Sequence, residues 1–214
     1  MTRIWAILPT RSAEDAVRTA AGCAGRCGVA VTQALLAGPG PAVVAALAAV
    51  APVMVLAGLH GDPADAALAA RRLVEYGAAW VTVQAVDGLE VMSSIVDAVG
   101  GERVMAVTVR PGLDDAALAS ARLGESRGRV VSRLASSAAD SGVGAVLCAV
   151  PDLGVVHQVA PHAKRFAWGV DRPAVAEEAF GRGAAAVILA PGVVALPHAT
   201  SALRSFEAVG NQPT

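Results

Sequence analysis

Lysine is almost missing from this chain of 214 residues, where Lys164 stands alone against sixteen arginines. None of the strand segments identified below contains it, which excludes a mechanism that needs a lysine on a strand. Aromatic residues are also scarce, at 3% against 55% hydrophobic overall, so Ala, Val and Leu must do the packing. Such small side chains suit a layered α/β core in which Ala-faced helices lie close to Val-rich strands. There is no basic block and no acidic tail, and the net charge is −1. Nucleic acid, which needs clustered Lys and Arg, is therefore excluded as a partner. The longest apolar stretch, Pro41 to Leu59, is broken by Pro52 and Gly58. It reads as a helix followed by a strand, so no membrane association is expected. Arg3 is followed at once by a strand-like segment without a small-residue cleavage site, which argues against a secretory leader. Three cysteines, Cys23, Cys27 and Cys148, show no metal-ligand spacing. The first two sit one helical turn apart, and a reduced pair in the cytoplasm is the expectation.

What is present is an alternation. Strand-like runs occupy Ile4–Leu8, Val29–Thr32, Val53–Leu56, Trp80–Val83, Val104–Val109, Ala145–Cys148, Phe166–Val170 and Ala186–Leu189. Between them lie helix-period segments at Ala13–Ala24, Pro41–Val50, Ala64–Tyr76, Gly88–Val99, Val130–Ser141, Ala174–Gly181 and His198–Val209, with a short helix around Asp114–Leu123. Strands alternating with helices argue a parallel sheet. Eight such units in one chain of this length predict one domain, a closed (β/α)8 barrel of the TIM type. Gly77, Gly142 and Gly183 each follow a helical segment and precede a strand, the usual place for a C-terminal helix cap.

Several segments carry a resemblance. They are VAVTQALLAGPGP from Val29, VMVLAGLHGDP from Val53, Trp80–Ala85 followed by Gly88, Ala106–Val109, and Gly144–Ala149. In order and spacing they resemble the orotidine 5'-monophosphate decarboxylase family, and the resemblance covers nearly the whole chain. It implies a β/α barrel, a homodimer, and an active site at the C-terminal ends of the strands. That family has an Asp-x-Lys-x-x-Asp motif on its third strand. With His60 and Pro63 held in register, those three charged positions fall on Leu56, Gly58 and Gly61. Other functional positions of the family fall on Pro9, Ala30, Gln84 and Ala149. Where the family has a long phosphate-closing loop, this chain has only Asp171, Arg172 and Pro173. Its phosphate-holding Gly-Arg-Pro becomes Ala190-Pro191-Gly192. Glycine has no proton to give as a general acid, and a phosphate dianion needs positive charge or convergent N–H donors. The resemblance thus implies the scaffold without the orotidine monophosphate chemistry.

Polar residues remain just after the strand ends, where any site in such a barrel would lie. His60 with Asp62 could form a general-base pair. Equally, Asp62 before Pro63 suits a helix N-cap, with His60 a scaffold residue. Arg110 and Arg172 could clamp an anion, although Asp171 and Arg172 could instead pair on the surface. Trp168 could stack on a planar ligand or simply fill volume, and Gln84 stands on the fourth strand. Thr10, Arg11, Gln33, Asp87 and Asp152 complete the mouth. No metal or cofactor is expected, and His157, His162 and His198 read as surface residues. Two readings follow. One is a repurposed enzyme of the decarboxylase type that takes a different small molecule, an anion if the arginines engage it. The other is a pseudoenzyme that binds a small molecule or a protein without turnover.

Overall fold

The computed structural model describes residues 2–123, 126–194 and 199–210. Eight parallel strands close into a barrel in sequence order, each pairing with the next and the last with the first. They are β1 (Ile4–Ile7), β2 (Gly28–Thr32), β3 (Val53–Leu59), β4 (Ala78–Gln84), β5 (Val104–Val107), β6 (Ala145–Ala149), β7 (Lys164–Val170) and β8 (Ala186–Leu189). The helices are α1 (Ala13–Cys23), α2 (Gln33–Ala37), α3 (Ala42–Ala48), α4 (Pro63–Glu75), α5 (Leu89–Val99), α6 (Asp115–Ser120), α7 (Arg127–Asp140), α8 (Leu153–Val159), α9 (Pro173–Gly181) and α10 (Ala199–Gly210). This is the (β/α)8 fold that the alternation predicts. Two short helices were not expected from the sequence: α2, and α8, which is the crossover helix between β6 and β7. His198 lies outside the described residues.

Alternation along each strand divides the core in two. Ile4, Ala6 and Leu8 of the first strand pack outward against the helices, together with residues such as Val29, Val31, Val81 and Val83. Trp5 and Ile7 point into the barrel, where they meet Met54, Trp80, Met105, Leu147, Phe166 and Ile188. The few aromatics are therefore concentrated inside. Trp80 and Phe166 meet edge to face with centroids 5.3 Å apart, a favourable geometry for ring quadrupoles. Gly28 makes room for this filling: a Cβ there would strike the Trp5 ring. The lower barrel is thus a packed plug of side chains, with open space above it at the C-terminal ends of the strands.

One exclusion drawn from the sequence needs correcting. Lys164 does stand on a strand, as the first residue of β7, where it pairs with Ala145 at the start of β6. It is exposed, and it sits at the end of the barrel opposite the strand C-termini. The strand begins two residues earlier than expected because Lys164 and Arg165 extend the ladder while their charged ends reach solvent.

Candidate functional site

The third strand carries the most unusual backbone at the mouth. Its pairing with β4 slips between Val55 and Leu59, so Leu56, Ala57 and Gly58 bulge out of register. Thr82, buried on the neighbouring strand, satisfies the bulge: its hydroxyl donates to the Val55 carbonyl at 3.0 Å and accepts from the Gly58 N–H at 2.9 Å. Gly58 has φ +58°, a left-handed conformation that strains any residue with a side chain. A Cβ at this position would also collide with the Gln84 side-chain amide. Gln84 therefore occupies the space into which a side chain from position 58 would project.

Three of the residues expected at the site come together. Gln84, Arg110 and Trp168 line one cavity of about 220 Å³, at the ends of β4, β5 and β7. Its walls are apolar, from Val86, Val107 and Val109 on the barrel side to Leu118 and Leu134 on the helices. Gln84 and Trp168 are half-buried, and Arg110 is exposed at the rim. A wider depression of about 620 Å³ lies elsewhere on the mouth, bordered by Pro9, Thr10, Arg11, Thr32 and Pro191.

The other expected residues do not join them. Asp62 caps α4, its Oδ1 accepting from the N–H groups of Ala64 at 2.9 Å and Asp65 at 3.2 Å. His60 turns its Nδ1 to the Gly58 carbonyl, 3.1 Å away. The hydrogen bonds of the two residues thus run to the backbone, and no bond joins them as a general-base pair. Replacing Asp62 with alanine is expected to remove about 1 kcal/mol of stability, lowering the thermal midpoint by about 2–4 °C. A thermal melt checks this. Asp171 and Arg172 form an ion pair at 3.2 Å, with both side chains more than half exposed. Such pairs contribute little. His157 meets Arg165 at the surface, and His162 is exposed. Cys148 is buried, and burial, with a smaller effect from Asp152, pushes its thiol up to about 12.

Several mouth residues tie loops together. Gln33 donates to the Ala57 carbonyl at 2.6 Å, and Asp87 accepts from the Gly61 N–H at 3.1 Å. The most extensive tie was not legible in the sequence. Arg127, the first residue of α7, faces Asp152 with Nε 3.1 Å from both carboxylate oxygens and Nη2 2.6 Å from one. The same guanidinium donates to the carbonyls of Val109, Arg110 and Leu113. Asp152 is 6% exposed and Arg127 20%. This bundle fixes the segment that presents Arg110 to the cavity. Only the three-dimensional juxtaposition reveals it, because Arg127 and Asp152 lie 25 residues apart. Among the described residues no group of three or more His, Cys, Asp or Glu side chains could hold a metal ion. None of the helices there is long and apolar enough to cross a membrane.

No family model matches the chain. Among curated proteins, it is 39% identical over 124 residues to an orotidine 5'-phosphate decarboxylase of Anaeromyxobacter sp. (strain K), covering 57% of this chain and 55% of that protein. It is 35% identical over 121 residues to the enzyme of that name from Thermobifida fusca (strain YX), covering 56% of this chain and 52% of that protein. The chain thus spans about half the length of the curated relatives it matches. In structure it superposes on the orotidine 5'-phosphate decarboxylase of Lactobacillus acidophilus with a TM-score of 0.87, at 19% identity over 99% of this chain and all of that one. An uncharacterized conserved protein from Geobacillus kaustophilus superposes with a TM-score of 0.84, at 21% identity over 97% of this chain and all of that one. In fold the chain is a (β/α)8 barrel of the orotidine 5'-phosphate decarboxylase type, and in sequence it is similar to those enzymes over somewhat more than half its length.

Proposed function

We propose that this chain, one barrel domain of the decarboxylase type, binds a small planar anion other than orotidine monophosphate at its mouth. The observation that carries the reading is the convergence of Gln84, Arg110 and Trp168 on one apolar-walled cavity of about 220 Å³. Apolar walls with a few convergent polar groups are the usual composition of a small-molecule site. Arg110 supplies a planar cation for a carboxylate, Trp168 a ring face, and Gln84 both a donor and an acceptor. In the family register, position 58 would carry the lysine that protonates the product carbanion. Here that position is a left-handed glycine beneath Gln84.

Any turnover is assigned to proton transfer by His60, the one mouth histidine among the described residues. The second reading, binding without turnover, is favoured by the engagement of both nearby carboxylates: Asp62 caps a helix and Asp171 pairs with Arg172. The family resemblance brings a homodimer to the proposal, and the unpaired cysteines are consistent with a cytoplasmic location.

Benzoate, a planar monoanion, is a suitable probe, with tryptophan fluorescence as the readout. Arg110→Ala is expected to weaken its binding about tenfold while leaving the melting temperature unchanged. Equal binding by both proteins would remove Arg110 from the site. If a turned-over substrate is found, His60→Gln should lower kcat more than it raises KM. An unchanged kcat would remove His60 from the chemistry.

A further inference from the structure

At the opposite end of the barrel, the turn between α1 and β2 carries two thiols. Cys23 is the last residue of α1, and Cys27 immediately precedes β2. The Cys27 N–H donates to the Cys23 carbonyl at 3.1 Å, closing one helical turn between them. Both residues are buried, Cys27 at 3% and Cys23 at 0% exposure. Cys27 also borders a cavity of about 520 Å³, lined by Thr2, Arg3, Arg26, Pro52 and Glu207 among others. A route from solvent to Cys27 therefore exists, well away from the mouth.

We infer that Cys23 and Cys27 form an oxidisable dithiol, closed to an intramolecular disulfide by small disulfide oxidants that enter through the basal cavity. Residues one helical turn apart fall within the Cα separation that a disulfide spans. The chemistry is ordinary exchange. One sulfur, as thiolate, attacks glutathione disulfide and expels one glutathione thiolate. The second sulfur then displaces the other, giving the Cys23–Cys27 bond and two glutathione thiols. The protein loses two hydrogens, and the oxidant gains them. The cavity reaches Cys27, so the mixed disulfide forms there and Cys23 is the sulfur that resolves it. The hydrogen bond from Cys27 holds the Cys23 thiol below the ordinary range, with Arg26 also lowering it against the effect of burial. Cys148 is an internal control, because burial keeps its thiol protonated and it borders none of the cavities described above.

Arg26 sits between the two cysteines and makes a bidentate contact with Glu207 of α10, at 2.6 and 2.7 Å.

The test is incubation of the folded protein with glutathione disulfide at neutral pH, followed by intact-mass measurement and peptide mapping under non-reducing conditions. The expected product is two hydrogens lighter, carries no glutathione, and yields a linked peptide pair containing Cys23 and Cys27. Cys148 should remain free to alkylate after denaturation. Cys23→Ser should instead accumulate a glutathione adduct at Cys27. An unchanged mass, a stable glutathione adduct on the unaltered protein, or a bond involving Cys148 would each overturn the inference. All three of these outcomes are read on the unaltered protein, so the result does not depend on how a variant folds.

Discussion

Replacing Asp152 with alanine is expected to remove about 3 kcal/mol of folding stability, making it the most damaging single change at the mouth. The substitution leaves the Arg127 guanidinium four-fifths buried with only backbone carbonyls to accept its protons. Removing one partner of a buried pair costs about 3–5 kcal/mol, because the remaining charge is uncompensated. The lower end applies here, since the Val109, Arg110 and Leu113 carbonyls still take part of that charge. For a chain of this size the thermal midpoint should fall by about 6–12 °C. Arg127→Met should be similarly harmful, as it strands the Asp152 carboxylate and three carbonyls. The double variant Arg127→Met with Asp152→Leu should be less destabilised than the sum of the two single changes. Urea titrations of the four proteins check this. Strict additivity would show that the pair is not a unit.

Incubated with orotidine 5'-monophosphate, the purified protein is expected to release no uridine monophosphate, and Gly58→Lys is not expected to create the activity. Gly58 at φ +58° admits a side chain only with backbone strain, which costs about 1–3 kcal/mol. The first carbon of that side chain would also have to displace the Gln84 amide. Adding Gln84→Ala to Gly58→Lys should relieve the collision and recover part of the lost stability, but not the strain. The activity measurement needs protein from a host lacking its own decarboxylase. Uridine monophosphate formed above the heat-treated control would contradict the proposed divergence.

Most of the architecture was legible because the two signals that define a parallel barrel are local. Runs such as Ala145–Ala149 and Ala186–Leu189 are apolar throughout, as strands buried on both faces must be. Helix starts were marked by side chains that cap them, Asp62 and Asp114 among them. The sequence missed α8 because its seven residues are rich in Val, which lowers helix propensity, and too few to show a clear period. It missed α2 because five residues, Gln33–Ala37, are too few to show a helical period. At the mouth, residue types could be named but their partners could not. His60 and Asp62 looked like a pair from spacing alone, yet each hydrogen-bonds to the backbone. The contact between Gln84 and the bare Gly58 backbone joins two strands and leaves no mark in either segment. The Arg127 bundle gathers residues from the ends of β5 and β6 and the start of α7, so no single window contains it.

The solitary lysine has a practical consequence. Lys164 is exposed on the rim where β7 begins, the end of the barrel remote from the strand C-termini. The α-amino group aside, an amine-reactive linker or dye has a single side chain to modify, and that side chain is at the base. Protein tethered to a sensor surface through Lys164 would stand with its mouth toward the solution. Immobilised ligand screens of the cavity between Gln84, Arg110 and Trp168 would then report on a population of uniform orientation.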